Sequence, residues 1–190
     1  MTFRSAILAA VVVTAPFIGT ANATNAGETF ESVALGTATS FTDGNITFSS
    51  PTDPGAFYVG TTGGLFSSLT GNALFSSSST GSTLDITFAN PVNVVTLNFA
   101  LDDFFGLGGS DTLSFTTNTG ATGAATATVP AGYIYPEGVL TYTGSAITSI
   151  DITSATYAFA VDNVAAPEPA SLAVLAMGVA GLAAFRRRRA

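Results

Sequence analysis

The sequence predicts an all-β fold, an antiparallel β-sandwich, for the body of the chain between Thr24 and Ala165. Residues that favour strands, above all Thr, Phe, Val and Ile, are abundant there. They form short runs in which apolar and polar residues alternate, and Gly, Asn, Asp and Ser separate the runs. No segment of the body combines a helical periodicity with charged residues. About nine to eleven short strands at nearly regular spacing indicate two packed antiparallel sheets.

The N-terminal residues 1–23 predict a secretory signal peptide. Arg4 is the positive start, residues 6–13 are the apolar stretch, and Ala21-Asn22-Ala23 is a cleavage site with small residues at its two ends. Cleavage after Ala23 makes Thr24 the first residue of the exported chain. The alternative is an N-terminal membrane anchor, for which the apolar stretch is too short.

In the first half of the body, the clearest local signal is a hairpin. Asp43-Gly44 is a turn of the kind that joins antiparallel strands, and it separates two short alternating runs. We expect one strand before this hairpin and short aromatic strands after it. The predicted strands are residues 28–33, 39–41, 46–49, 56–59 and 73–75.

The second half of the body carries the strongest alternation of apolar and polar residues. A half-buried strand at 84–88 is followed by a predicted turn at Asn90-Pro91. Residues 92–101 then alternate again and predict the central strand of the fold. The further predicted strands are residues 112–116, 125–129, 139–143, 147–153 and 156–161.

The C-terminal residues 166–190 combine three features. Pro167-Glu168-Pro169 disfavours helix and leaves an extended break after the body. Residues 171–185 are uncharged and apolar, but as a helix they rise only about 22 Å, less than a hydrocarbon core of roughly 30 Å. By the positive-inside rule, the basic end stays in the cytoplasm and the body lies outside. This basic end consists of Arg186, Arg187, Arg188 and Arg189.

These three features, in this order and spacing, resemble the PEP-CTERM sorting signal of Gram-negative bacteria. The resemblance implies processing near Pro167-Glu168-Pro169 by an exosortase, a membrane-embedded cysteine protease-transpeptidase. Residues 171–185 would hold the protein in the inner membrane until then, as a transmembrane helix. Release or re-attachment at the cell surface would follow, and the family is associated with exopolysaccharide and biofilms. The alternative is an ordinary C-terminal membrane anchor.

The body is strongly acidic and contains no basic residue. All five Lys and Arg residues lie at the two ends of the chain, and the chain has no His. Eleven of the twelve acidic residues lie in the body, with Glu168 outside it. Nucleic acid is therefore excluded as a partner, because binding to phosphates rests on cationic side chains. The chain has no cysteine, so the stability of the body must come from a packed core.

The residue types of the body also argue against an enzyme. Without His, Cys or Lys, no Ser or Thr has a conventional activating base, and the usual zinc ligands are missing. The alternative is a small carboxylate-dependent glycoside hydrolase, with Asp102, Asp103, Asp111 and Glu137 as its candidate acids. We expect no enzyme, because the body is small and lacks Trp and Arg.

Calcium is the cofactor that the composition favours. Carboxylates, amides and loop carbonyls suit Ca²⁺, and the body offers no competing cation. The first candidate cluster is Asp102 and Asp103 with Asp111, separated by glycines that free the backbone to fold around an ion. The alternative is a solvated acidic turn, in which each Asp caps its own backbone.

The two ends of the body resemble the first and last strands of jelly-roll sandwiches, a fold similar to carbohydrate-binding modules. The resemblance rests on Phe30-Glu31-Ser32 and on residues 157–164. It implies a jelly-roll-like sandwich whose ends meet around a structural Ca²⁺. Glu28 or Glu31, Asp162 and Asn163 would be the ligands.

Tyrosines supply the candidate ligand-binding residues. Tyr133 and Tyr135 fall in a predicted loop, where aromatic rings can stack on sugars, and Tyr58 and Tyr142 are further candidates. The alternative is that these rings cover an edge of the sandwich.

Taken together, these features of the sequence predict an exported, non-catalytic structural or exopolysaccharide-associated module of the cell surface or extracellular matrix.

Overall fold

The computed structural model describes residues 27–38, 40–50, 55–77, 83–107 and 111–167. Within these residues the chain forms eleven strands and one short 3-10 turn, Phe104–Gly106. The predicted all-β, antiparallel fold class is confirmed.

Among these residues, no helix is long and apolar enough to cross a membrane. The predicted cleavage site at Ala21 and Ala23 and the predicted helix at 171–185 lie outside the described residues. The strands are β1 Gly27–Glu28, β2 Gly36–Ala38, β3 Ser40–Asp43, β4 Ile46–Ser49, β5 Phe57–Thr61, β6 Asn72–Ser76, β7 Thr83–Leu101, β8 Thr112–Thr117, β9 Thr122–Thr126, β10 Glu137–Thr153 and β11 Phe159–Ala165.

Two long strands, β7 and β10, connect the two layers of the sandwich. The first half of β7 pairs with β4 and the second half with β11, while β10 runs antiparallel to β7 along both halves. All eleven strands therefore belong to one hydrogen-bonded sheet. One of its layers has the order β3-β4-β7-β10-β8-β9, and the other has the order β2-β5-β6-β11-β7-β10, with β1 on the end of β11. The layers face each other, since Phe48 of the first layer and Phe57 and Leu74 of the second line the same small interior cavity.

The core lies between the layers and is filled by the alternating apolar residues that the sequence predicts. In β7, Leu84, Ile86 and Phe88 are buried in the first half, and Leu97 and Phe99 are buried in the second. Each large apolar side chain that leaves water contributes about 1.5–3 kcal/mol to folding. The period-two pattern therefore sets which face of each long strand is turned inward.

The predicted turn at Asn90-Pro91 is wrong, because β7 runs through it without ending. The partners on β10 explain how the strand accommodates Pro91. Thr87 lies opposite Ser149 and Val92 lies opposite Ile147, so β7 holds three extra residues at this point. Proline lacks a backbone N–H and is tolerated at such a bulge. The predicted strands 139–143 and 147–153 are likewise parts of the single strand β10.

The first predicted strand, residues 28–33, is also wrong beyond Glu28. The chain turns at Phe30, whose φ is 59°, and the Val33 N–H donates to the Phe30 carbonyl oxygen at 3.1 Å. This turn directs the Phe30 ring into the core, where it meets Phe48 edge-on at a ring distance of 5.0 Å. Burial of a whole aromatic side chain outweighs the cost of the left-handed backbone.

The chain enters and leaves the sandwich at the same end. β1 pairs with the end of β11, with Gly27 opposite Ala165. The last strand covers Phe159–Ala165, rather than the predicted 156–161, and Pro167 follows it after one residue. At about 3.3 Å per residue, the start of β11 lies about 20 Å from the point where the chain leaves the sandwich.

Candidate functional site

An open groove of about 390 Å³ lies at the start of β11, beside the end of β7. Its floor is made of small residues, including Ala100 and Ala160, which are buried. Its walls come from the outer face of β5 and β6, from the segment between them, and from the segment that precedes β10. Small floor residues between large wall residues leave this space open. The side chains that dominate the walls are Tyr58, Phe66, Phe75, Asp102 and Tyr135.

Aromatic rings form a continuous series along the groove. Tyr58 and Phe75 are direct partners across β5 and β6, and their rings stack with centroids 5.4 Å apart. Phe66 lies between Phe75, at 6.2 Å, and Tyr135, at 5.3 Å. Phe104 continues the series at 6.2 Å from Tyr135. Ring centroids at such distances are in the range of favourable aromatic pairs.

Sequence reasoning found only part of this series. Tyr135, which the sequence suggests as a ligand-binding residue, lines the groove, as does the further candidate Tyr58, whereas Phe66 and Phe75 were missed. The period-two pattern of β5 and β6 places Tyr58 and Phe75 on the same outer face and was the available signal. Tyr133, also predicted, is not among the residues that line the groove. It lies in a turn in which its N–H donates to the Pro130 carbonyl oxygen at 3.1 Å.

One wall of the groove is the segment of residues 62–71, here called the wall loop, and carboxylates hold it in place. The two oxygens of Glu137 accept the N–H groups of Ser67 and Ser68, each at 2.7 Å. Asp162 accepts the Thr70 N–H at 3.1 Å. Because charged acceptors make strong hydrogen bonds, these contacts fix the backbone that carries Phe66.

The predicted second calcium cluster is brought together, and its residues hold the wall loop. Glu31 accepts the Asn72 N–H at 2.9 Å, directly after the loop. Asn163 donates from its side chain to the Ser68 carbonyl oxygen at 3.4 Å and to Asp162 at 3.2 Å. The Asn163 backbone has a φ of 53°. These residues therefore have a structural role that the sequence did not reveal.

Asp162 is the carboxyl group whose protonation the fold changes most clearly. Its residue is fully buried, and loss of solvent raises its pKa from 3.8 to about 6. The N–H groups of Thr70 and Asn163 oppose this effect because they stabilise the charged form, while the nearby charge of Glu31 adds to it. Asp162 therefore titrates within the range of ordinary environmental pH.

The first predicted calcium cluster is divided by the structure. Asp102 is exposed and lines the groove, whereas Asp103 is buried and accepts the Leu107 N–H at 3.1 Å. Asp103 and Asp111 lie together: burial, a hydrogen bond with Asp103 and the charge of Asp103 raise the pKa of Asp111. Desolvation and the neighbouring charges of Asp103 and Asp111 raise the pKa of Tyr157. The charge of Asp103 thus disfavours the ionised form of Asp111.

The candidate metal ligands do not converge into a larger group. Within the described part of the chain, no group of three or more His, Cys, Asp or Glu side chains is arranged to hold a metal ion. Glu31 lies with Asp162, and Asp103 lies with Asp111, so each cluster contributes a pair of carboxylates. The structure provides these pairs, and calcium binding stays a prediction.

Of the four acids considered for a glycoside hydrolase, Asp102 is the one that lines the groove. Glu137 is buried and holds the wall loop through its two oxygens. Asp103 and Asp111 form the pair described above, with one oxygen of Asp111, Oδ1, buried and without a hydrogen-bond partner. The groove thus presents one carboxylate beside several aromatic rings.

Comparisons with known proteins bear on the C-terminus. The family model of the PEP-CTERM protein-sorting motif matches residues 165–189. Among the residues predicted for this motif, the structure describes Pro167. The remaining ones lie outside the described residues, namely Glu168, Pro169 and the four terminal arginines. A search of curated proteins finds no match.

Among solved structures, the enzymatically active domain of bacteriophage CBA120 tailspike protein 4 is similar over 64% of this chain, with 18% sequence identity and a TM-score of 0.33. The present chain spans 19% of the length of that chain. The family match is independent of this similarity and confirms the predicted sorting signal. The chain carries a PEP-CTERM protein-sorting motif, and it is an exported exosortase substrate that is held at the membrane before processing and then reaches the cell surface.

Proposed function

We propose that the folded body is a non-catalytic module that binds exopolysaccharide at the cell surface through the aromatic groove. The observation that carries this proposal is the series of rings along an open groove of about 390 Å³. Aromatic rings offer flat apolar faces to the apolar faces of sugar rings, and tyrosine adds a polar tip for hydroxyl groups. A groove of this size lies within the range of small-ligand sites and suits a short stretch of a glycan.

The polar groups of the groove suit a ligand rich in hydroxyl groups. Thr61, Thr62 and Asp102 line the groove together with the aromatic residues. Hydroxyl and carboxylate oxygens accept hydrogen bonds from sugar hydroxyls, and threonine also donates. A few polar groups among apolar walls orient a ligand and provide its specificity.

The position of the groove in the fold supports a role at the surface. The sorting motif follows the end of β11, whereas the groove lies at its start. The strand separates the two by about 20 Å. A protein that is held through its C-terminus therefore presents the groove away from the point of attachment.

The test is retention of the exported protein on exopolysaccharide from its host, measured by affinity electrophoresis. Tyr58→Ala and Tyr135→Ala each remove one ring from the groove. We expect each to weaken binding about tenfold, since a lost stacking contact costs roughly 1–1.5 kcal/mol. Tyr133→Ala is the matched control, because Tyr133 does not line the groove. Absence of retention of the unaltered protein would contradict the proposal.

The hydrolase alternative has one observation in its favour. Asp103 and Asp111 lie together next to the groove residue Asp102, and the raised pKa of Asp111 is a property of general acids. The test is hydrolysis of a broad panel of glycans by the exported protein. Turnover that Asp103→Asn abolishes would support this alternative, and no turnover on the panel would remove it.

A further inference from the structure

We propose that the groove selects a polysaccharide that carries free amino groups, such as a deacetylated amino sugar in its cationic form. This inference rests on the proposed function, because it names the class of glycan that the same groove binds. Three properties of the molecule support it: the isolated carboxylate of Asp102, the charge of the body, and the faces of the aromatic rings.

Asp102 places a free negative charge at the groove. Its backbone is fixed, since its N–H donates to the Ala158 carbonyl oxygen at 2.9 Å. Its side chain is exposed, and among the described residues its carboxylate has no hydrogen-bond or ion-pair partner. The other ionisable groups that line the groove are the phenols of Tyr58 and Tyr135, and a phenol cannot carry a positive charge. A bound ammonium group would therefore face one carboxylate and no competing cation.

The charge of the whole body acts in the same direction. Residues 24–165 contain eleven carboxylates and no Lys, Arg or His. Such a body attracts cationic ligands and repels anionic ones, and the effect weakens as salt screens it. A polymer of uronic acids would bring its own carboxylates against Asp102. The charge pattern therefore disfavours acidic polysaccharides and favours amino sugars.

The aromatic rings favour an ammonium group over a neutral amide. A cation above the face of a tyrosine or phenylalanine ring is attracted by the electrons of the ring, and this attraction adds to ordinary stacking. Tyr58, Phe66 and Tyr135 supply such faces within the same groove as Asp102. A glucosamine unit can thus make stacking and charge contacts together, whereas an N-acetylated unit lacks the charge contacts.

The experiment compares three hexasaccharides of equal length by calorimetric titration of the exported protein. They are the oligomers of glucosamine, N-acetylglucosamine and galacturonate. At low salt we expect the glucosamine oligomer to bind about tenfold more tightly than the N-acetylated one. The difference should shrink at about 1 M salt, where charges are screened beyond about 3 Å. The galacturonate oligomer should show no binding.

Two variants locate the charge that is responsible. Asp102→Asn removes the groove carboxylate, and we expect it to reduce the preference for glucosamine about fivefold. Asp151→Asn removes the same charge from an exposed position in the part of β10 that pairs with β8. We expect it to leave the preference for glucosamine unchanged. An equal loss in both variants would overturn the assignment to Asp102.

Two binding outcomes test the preference for amino groups and the proposed function separately. Equal or tighter binding of the N-acetylated oligomer would overturn the preference for amino groups and would leave the groove as a glycan site. If the protein binds none of the three oligomers and is not retained on its host's exopolysaccharide, the proposed function itself is overturned.

Discussion

The titration of Asp162 should make the stability of the body depend on pH in a defined direction. Burial raises the folded-state pKa to about 6 from 3.8, so the folded state binds a proton more readily than the unfolded chain. The resulting contribution to stability is fully present below about pH 4, and it is lost as the pH rises through about 6. Asp162→Asn removes the charge and should remove this part of the pH dependence.

The size of the effect follows from the two pKa values. A folded-state pKa of about 6 against 3.8 in the unfolded chain corresponds to about 3 kcal/mol. Relaxation of the protein around a buried charge lowers this figure, and we expect a change of about 1–2 kcal/mol between pH 7 and pH 4. The asparagine also loses one acceptor for the N–H groups of Thr70 and Asn163, which costs about 1 kcal/mol at every pH. The change with pH, not the absolute stability, is therefore the informative quantity.

The assay is urea unfolding followed by circular dichroism at several pH values between 4 and 7. The unaltered protein should gain about 1–2 kcal/mol relative to Asp162→Asn as the pH falls over this range. Asp102→Asn, which removes a charge from an exposed position, measures the effect of net charge and is subtracted. If the difference in unfolding free energy between the unaltered protein and Asp162→Asn stays constant from pH 7 to pH 4, Asp162 does not titrate in this range on folding.

Three further predictions concern the wall loop, calcium and processing. Gly71→Ala should cost about 2–3 kcal/mol in urea unfolding, because φ is 66° and the new Cβ would displace the Glu31 carboxylate that accepts the Asn72 N–H. Gly120→Ala, with φ of 83° and open space around it, should cost only about 1–2 kcal/mol, and an equal cost in both variants would contradict this account. A chelator should lower the melting temperature by about 3–4 °C if a structural Ca²⁺ contributes about 1 kcal/mol, and an unchanged curve would refute the ion. Mass spectrometry of the processed protein should find residues 1–23 missing and a new C-terminus near Pro167-Glu168-Pro169, and a C-terminus still at Ala190 would refute processing.

The parts of the fold that the sequence predicts well are those in which one interaction dominates. Burial on one face of a strand requires period-two alternation, and Leu97 and Phe99 show it clearly. The pattern could not predict that β7 continues past Pro91, because a local turn signal is outweighed by the pairing of β7 with β10 along both of its halves. Nor could it predict the turn at Phe30, which depends on burial against Phe48 from another strand.

The site was harder to predict than the fold, because it depends on contacts between distant segments. Tyr135 could be found as an aromatic residue in a loop, but Phe66 becomes a groove residue only because Glu137, about seventy positions away, holds the wall loop. Asp162 was predicted as a metal ligand from its type and position. Its actual contact, the Thr70 N–H, lies 92 residues away in the sequence. Local sequence does not contain such pairings.

The most direct test of the groove is an NMR titration of the exported protein with a short oligosaccharide released from its host's exopolysaccharide. We expect the largest chemical-shift changes on the rings of Tyr58, Phe66 and Tyr135 and on the Thr61 amide, with the ring of Tyr133 unaffected. Saturable changes that fall instead on Tyr133 or on the β8–β9 layer would contradict this expectation, since they would place the glycan on a surface outside the groove.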